Sequence, residues 1–229
     1  TVAASAIPAS MLMRRVGRRA GFMLASACAA AGMLIGVQAL RTASFPLFCV
    51  AAMMVGVNTA FTQQYRYAAA ESVSREYVAR AISFVLLGPI GGAFLGKELV
   101  SRGEDWVAGV PYAGTMAALC GLFVVQFALM AALREPGAAL AGRTDRSMRP
   151  LAEIILQPVF LTAVFAGVAA YGIMTLTMTA TPLSMHVNDG YSIDETSSVI
   201  RAHVLAMYIP SLISGLLIER LGVTRLMIV

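Results

Sequence analysis

The sequence predicts an all-α membrane protein, a polytopic bundle of transmembrane helices that lies in a lipid bilayer. Of its 229 residues, 59% are hydrophobic and only 13% are charged, whereas a soluble domain has about 45–50% apolar and about 25% charged residues. The apolar residues form long runs, and most arginines lie in the gaps between them. Because lipid is itself apolar, outward-facing apolar side chains need no protein core to cover them.

Six apolar runs are long enough to be complete spans, since a spanning helix needs about 20 mostly apolar residues. They are Ala20–Leu40, Phe45–Gln64, Val78–Val100, Tyr112–Leu133, Ile154–Leu183 and Thr196–Ile218. Residues 1–13 are typical of the end of an earlier span, and residues 226–229 of the start of a later one. We therefore expect the chain to be an internal fragment of a longer protein.

The distribution of basic residues orients the predicted spans. Of the 17 Lys and Arg residues, 13 lie in alternate gaps on one side of the bundle. Basic loops stay in the cytoplasm, so we assign the arginine-rich side to the cytoplasm. At one boundary on the opposite side lie Trp106 and Tyr112, and aromatic rings of this kind prefer the membrane interface.

Residues 134–153 form the only long polar stretch of the sequence. The prolines and glycines within this stretch discourage a single continuous helix. We interpret it as a cytoplasmic linker between an N-terminal helical bundle, residues 1–133, and a C-terminal bundle, residues 154–229.

The last complete span has a recognisable start. Ser192 and Glu195 have capping-box spacing, in which each side chain accepts a hydrogen bond from the backbone N–H of the other residue. This spacing predicts a helix that begins near Ile193, although an exposed polar loop would have a similar sequence.

Several kinds of site are not predicted. The net charge of +5 comes from loop arginines rather than from a basic patch interleaved with aromatic residues, so no nucleic-acid partner is expected. Cys28, Cys49 and Cys120 lie in different apolar runs and form neither a metal-binding nor a disulfide pattern. We expect no metal and no cofactor, and we interpret the cysteines as small packing residues.

An internal repeat is the most specific feature. The segment from Ser10 to Arg19 is similar to the segment from Gly215 to Arg225, and both lie between two apolar runs on the arginine-rich side. Aligning Arg15 with Arg220 also aligns Gly17 with Gly222, at an offset of 205 residues.

The repeated glycines permit tight reversals, and the repeated arginines can bond helix-end carbonyls or a carboxylate. The repeat predicts a cytoplasmic gate formed by Arg15, Gly17, Gly215, Glu219, Arg220 and Gly222. Arg18 and Arg19 are interpreted as topology markers.

The repeat resembles the signature loop of the major facilitator superfamily, G-x-x-x-D-R-x-G-R-R. Ser10 and Arg14 replace the first glycine and the acid in the first copy, whereas the second copy keeps Gly215 and has Glu219 for the acid. The resemblance implies a monomeric, non-enzymatic transporter with 12 helices in a bacterial inner (plasma) membrane. The chain would extend from the end of helix 2 to the start of helix 9, and the linker would join the two halves.

The third predicted span carries a glycine-rich face. Gly88, Gly92 and Gly96 recur at every fourth position, which allows a neighbouring backbone to approach closely, and Pro89 favours a kink. This stretch resembles the Gly-Pro motif of proton-coupled drug exporters, G-x-x-x-G-P-x-x-G-G, with Phe84 and Ala93 in place of two glycines. A generic packing face is the alternative.

Polar residues within the apolar runs are candidates for a solute or proton path. His203 can relay a proton, because imidazole titrates near neutral pH, and Arg201 can attract an anionic or carbonyl-rich solute. The alternatives are a hydrogen-bonded packing histidine and an arginine that extends to the interface. Four further candidates are Asn58, Gln126, Tyr171 and Thr175. Interhelical hydrogen bonding or packing around a kink would also explain these four.

These observations predict a carrier that moves a small organic solute by alternating access, driven by protons or another coupling ion. The Gly-Pro face favours proton-coupled export, and uptake of a small metabolite or vitamin is the alternative. A receptor or a channel is a rival class. A membrane enzyme is disfavoured because His186 and His203 lack metal-site spacing. The fragment lacks several helices of the family, so we expect no transport from it alone.

Overall fold

The computed structural model describes residues 2–133 and 155–221, and all regular structure in these ranges is helical. In chain order the helices are α1 (Val2–Val16), α2 (Arg18–Arg41), α3 (Phe45–Thr62), α4 (Tyr65–Glu71), α5 (Val78–Gly103), α6 (Ala113–Ala132), α7 (Pro158–Leu183) and α8 (Ile193–Leu221). A short 3₁₀ turn, Arg75–Tyr77, precedes α5. The predicted all-α fold class is confirmed, whereas the predicted linker lies outside the described residues.

Among the described helices, five are long and apolar enough to cross a membrane, as five of the predicted spans require. These candidate spans are Arg18–Arg41, Phe45–Glu71, Arg80–Gly103, Ala113–Ala132 and Pro158–Asn188. The remaining predicted span, Thr196–Ile218, lies within helix α8, and its crossing of the membrane stays a prediction. The chain is therefore a polytopic helical membrane protein.

Helix α2 is the central helix of the N-terminal bundle and packs against both α3 and α6. Its buried face consists mainly of small residues, which allow neighbouring helices to approach closely. A methyl group at Gly32 would lie 2.8 Å from the Met54 Cβ atom, and one at Gly36 would lie 2.7 Å from the Met116 sulfur. Small residues on α2 therefore determine the spacing of the three helices.

Helices α5 and α6 meet at the end of the bundle opposite the arginine-rich turn. The Thr115 hydroxyl donates to the Leu99 carbonyl at 3.1 Å, and a methyl group at Gly114 would lie 2.4 Å from the Trp106 Cβ atom. Tyr112 adopts a left-handed conformation with φ 63° immediately before α6. Burial, followed by the neighbouring Glu104 carboxylate, raises the pKa of the Tyr112 phenol. The α5–α6 connection is therefore closely packed.

The helices divide between two compact units, with the boundary inside α8 between His203 and Val204. Helices α1–α6 belong to the first unit, and α7 belongs to the second. A short π-helical segment, Ser184–Asn188, follows α7. The predicted domain boundaries stay predictions.

The start of α8 confirms the predicted capping box. The Ser192 backbone N–H donates to the Glu195 carboxylate at 2.9 Å, and the Glu195 backbone N–H donates to the Ser192 hydroxyl at 3.2 Å. These reciprocal bonds satisfy two backbone donors. The hydrogen bonds from Ser192 lower the pKa of the Glu195 carboxyl.

Candidate functional site

The candidate site begins at the turn between α1 and α2, where Gly17 is the single connecting residue. Gly17 has φ 85°, a conformation that residues with side chains rarely adopt. Its backbone N–H donates to the Met13 carbonyl at 3.0 Å. This one-residue turn places Arg18 and Arg19 at the start of α2, inside the arginine-rich repeat.

Both arginines contact other helices. The Arg18 guanidinium forms an ion pair with the Glu71 carboxylate at 2.6 Å, which joins the start of α2 to the last residue of α4. The Arg19 guanidinium donates to the Ala131 carbonyl near the end of α6, where a cation also complements the helix dipole. The two arginines therefore connect three helix ends on the side that sequence analysis assigned to the cytoplasm.

This loop makes its contacts through a different arginine from the one singled out for the predicted gate. Arg15, the residue singled out in the first copy, is exposed at the end of α1, and the ion pair forms at Arg18. The side chains of the second copy, from Gly215 through Glu219 and Arg220 to Gly222, lie outside the described set. Glu71 was not among the predicted site residues, although one signal was available, because it is the only acidic residue among residues 1–75.

A polar cluster lies deeper in the bundle, next to the arginine-rich end. The Gln126 side-chain amide donates to the Tyr65 hydroxyl at 2.7 Å and to the Asn58 side-chain carbonyl at 3.4 Å. Asn58 is only 4% exposed. The Tyr65 ring meets the Phe22 ring edge-to-face, with 4.7 Å between their centroids. The structure thus brings together two predicted candidates, Asn58 and Gln126, with Tyr65 as a third member.

An apolar core packs against this cluster at Tyr65. Buried side chains from α1, α2 and α3 form the core, with Tyr65 and Met130 packed against it. Its members are Ala9, Met13, Phe22, Ala25, Ala60 and Phe61. In such surroundings an amide or hydroxyl without a partner costs free energy, so the Gln126 bonds stabilise the arrangement.

The remaining candidates lie elsewhere. His203 is half-buried in α8, and its Nε2 atom is buried without a hydrogen-bond partner among the described residues. Arg201, two positions earlier, is half-buried. Tyr171 and Thr175 are exposed on α7. These four residues belong to the second compact unit, and their roles stay predictions.

The glycine face of α5 is open within the described part of the chain. A methyl group built at Gly88, Gly92 or Gly96 would meet no described atom within 4 Å. Pro89 lies inside α5, which continues through it as one helix from Val78 to Gly103. Close approach of another helix to this face stays a prediction.

A metal centre is not evident in the part of the chain that the structure describes. No three His, Cys, Asp or Glu side chains there are grouped so that they could hold a metal ion. The site consists instead of a guanidinium–carboxylate pair at a helix junction and a neutral polar cluster beneath it. The contacts between such groups can form and break without a change in covalent bonds.

Comparisons with known proteins identify the family of this chain. The family model described as Major Facilitator Superfamily matches residues 1–229. The riboflavin transporter RfnT of Brucella anthropi is 35% identical over 222 residues, which cover 96% of this chain and 56% of that protein. The uncharacterized MFS-type transporter YdeG of Bacillus subtilis is 26% identical, over 99% of this chain and 55% of that protein.

A second Bacillus subtilis protein, the uncharacterized MFS-type transporter YddS, is 29% identical over 99% of this chain and 55% of its own length. No solved structure matches the chain. The chain therefore spans about 55% of the length of the curated relatives described here.

Proposed function

Because this chain belongs to the Major Facilitator Superfamily, we propose that it is part of a carrier that moves a small organic solute across a bacterial inner membrane by alternating access. The observation that carries the proposal is the junction of α2, α4 and α6, where Arg18 pairs with Glu71 and Arg19 bonds the Ala131 carbonyl. Contacts between helix ends can form in one state of a carrier and break in another.

The complete carrier would contain more helices than this chain. The relatives are nearly twice as long, which supports the proposal of a 12-helix protein with a second half built like the first. The linker at 134–153 would then join the halves on the cytoplasmic side, and the carrier would act as a monomer.

Riboflavin is the first solute to test. The relative at 35% identity is a riboflavin transporter, and its similarity extends over 96% of this chain. We propose a planar, neutral, hydrogen-bonding solute of this class. A solute with several carbonyl groups also suits the predicted role of Arg201, because a guanidinium donates to carbonyl oxygens in a fixed geometry.

The test is flux into proteoliposomes that contain the full-length protein. Radiolabelled riboflavin is offered alone and then in competition with a panel of neutral, anionic and cationic organic solutes. Saturable riboflavin entry that unlabelled riboflavin inhibits supports the proposal. The absence of saturable flux for every member of the panel, under either direction of gradient, contradicts the carrier function.

The second candidate is proton-coupled export, which the resemblance of the Gly-Pro stretch of α5 to an exporter motif favours. Gly88, Gly92 and Gly96 leave this face without side-chain bulk, and a tightly packed helix here could seal the path against proton leak. If the face is packed in the full-length carrier, Gly92→Leu should reduce proton-driven efflux several-fold. Gly121→Leu on α6, where a methyl group also meets no described atom within 4 Å, is the control. Normal efflux in Gly92→Leu would contradict this candidate.

A further inference from the structure

Helices α3 and α4 are separated by a two-residue break. Gln63 and Gln64 form a turn between them, and the Gln64 backbone N–H donates to the Phe61 carbonyl, three residues back, at 2.9 Å. Breaks of this kind usually occur at proline, at glycine or serine pairs, or at inserted side chains. Residues 59–71 contain no proline, glycine or serine, and are mostly good helix formers. The Thr62 hydroxyl donates to the Thr59 carbonyl at 2.9 Å, and bonds of this kind often bend a helix. Contacts with other helices then hold α4 in place.

Helix α4 is held at both ends. Its first residue, Tyr65, accepts the Gln126 amide hydrogen bond and packs edge-to-face against Phe22. Its last residue, Glu71, pairs with Arg18. A helix of seven residues is about 10 Å long. The contacts of Tyr65 and Glu71 therefore hold the two ends of this short helix.

Gln126 is the only amide side chain in α6. Its two amide hydrogens reach two different elements, Tyr65 at the start of α4 and Asn58 within α3. The shorter bond, 2.7 Å, goes to Tyr65 on the far side of the break. One side chain thus fixes α4 relative to α3, and does so where an unpaired amide or hydroxyl would be costly.

We propose that Gln126 is a positioning residue. Its bond to Tyr65 holds α4 at the angle at which Glu71 meets Arg18, and the Gln63–Gln64 turn is the hinge about which α4 moves when that ion pair opens. The role of this motion in the transport cycle rests on the proposed transport function. The hinge itself is a property of the folded bundle, and it can be measured without transport.

The first test measures the motion of α4. A nitroxide spin label is attached at Tyr67→Cys, a position on α4 that is 60% exposed, in the full-length protein whose native cysteines are replaced by alanine. Tyr65→Phe removes only the hydroxyl, and Gln126→Met removes the amide at similar volume. Each should raise the mobile-to-immobile ratio of the label about two- to tenfold, as expected for the loss of one hydrogen bond.

The controls separate positioning from general loosening. Gln38→Met makes the same chemical change at an exposed position on α2, and it should leave the mobility of the label unchanged. The Tyr65→Phe/Gln126→Met double variant should mobilise the label no more than Gln126→Met alone, because that change already removes the bond that Tyr65→Phe removes. Unchanged mobility in Tyr65→Phe, or additive effects in the double variant, would overturn the proposal. If Gln126→Met does not fold, the comparison of label mobility between Tyr65→Phe and Gln38→Met tests the proposal by itself.

The second test uses transport. Because Gln126 acts through Tyr65 and α4, its replacement should change the turnover rate about two- to tenfold and leave KM unchanged. A change in KM with unchanged turnover would assign Gln126 to solute binding and overturn the positioning role. If the unmodified protein shows no flux, the proposed function fails, while the spin-label result still decides whether Gln126 holds the hinge.

Discussion

The Arg18 guanidinium lies 2.6 Å from the Glu71 carboxylate, although 53 positions separate the two residues in sequence. The pair joins the first residue of α2 to the last residue of α4. Glu71 supplies a carboxylate to a loop in which Arg14 occupies the position of the signature acid. The negative partner of the basic loop therefore comes from a different helix.

Reversing the two charges should show that the pair acts as a unit. Arg18→Glu and Glu71→Arg should each reduce flux, and the double reversal should restore it. The Arg18 side chain is 33% exposed and the Glu71 side chain 65%, so we expect a change of about 0.2–1 kcal/mol, or up to about fivefold in rate. Flux is measured in proteoliposomes, with Arg41→Glu at the other end of α2 as the control. Failure of the double reversal to recover would contradict a direct ion pair.

Gly114→Ala should destabilise the bundle. The added methyl group would lie 2.4 Å from the Trp106 Cβ atom and 2.7 Å from the Gly103 carbonyl oxygen, and overpacking of this kind costs about 1–3 kcal/mol. The matched control is Gly121→Ala on the same helix, where the methyl group meets no described atom within 4 Å. Alanine there should be neutral or stabilising by up to about 1 kcal/mol. Thermal unfolding in detergent distinguishes them, and equal melting temperatures would contradict the close packing.

The capping box should make the start of α8 sensitive to acid. Hydrogen bonds from Ser192 lower the pKa of Glu195 in the folded state. The stabilisation that these bonds give to the folded start of α8 is therefore present above the unfolded pKa, and it is lost as the pH falls through the folded pKa. Hydrogen exchange in the first turn of α8, compared between variants at each pH, measures the effect. Glu195→Gln keeps a capping partner but cannot titrate, and its protection relative to the unmodified protein should rise towards low pH. A constant ratio would contradict the titration.

His203 provides a test of proton coupling. Its buried Nε2 atom has no hydrogen-bond partner among the described residues, as expected for a group whose partner is a proton, a solute or a residue elsewhere in the full carrier. If His203 carries the coupling proton, His203→Gln should abolish flux driven by a pH gradient while solute exchange without a gradient continues. Gradient-driven flux in His203→Gln that equals the unmodified rate would assign coupling to another residue.

The sequence predicted the spans well because the length of an apolar run is a local property that the bilayer thickness determines. The predicted run Tyr112–Leu133 corresponds to α6, Ala113–Ala132, and the capping box correctly predicted the start of α8 at Ile193. Helix α4 was missed, because the break at Gln63 and Gln64 has no proline or glycine to signal it. The first residue of α4, Tyr65, has its hydrogen-bond partner at Gln126, which lies 61 positions away in sequence.

The candidate site was only partly predictable from the sequence, because its contacts join residues that lie far apart along the chain. Polar residues inside apolar runs identified Asn58 and Gln126, because such residues are costly in lipid unless they are paired. The other partner of Gln126, Tyr65, was not identified, since it lies just outside the predicted span. Which arginine of a basic loop meets an acid depends on the positions of other helices, so neither composition nor spacing could distinguish Arg18 from Arg15.

Solute counterflow tests the central claim, transport by alternating access, most directly. Proteoliposomes that contain the full-length protein are loaded with unlabelled riboflavin, or with whichever solute the competition panel identifies, and diluted into a trace of labelled solute. A carrier should take up the label faster than in empty vesicles and accumulate it transiently above its external concentration, because each outward step with unlabelled solute returns a site that binds the label. Entry at the same rate in loaded and empty vesicles would contradict alternating access.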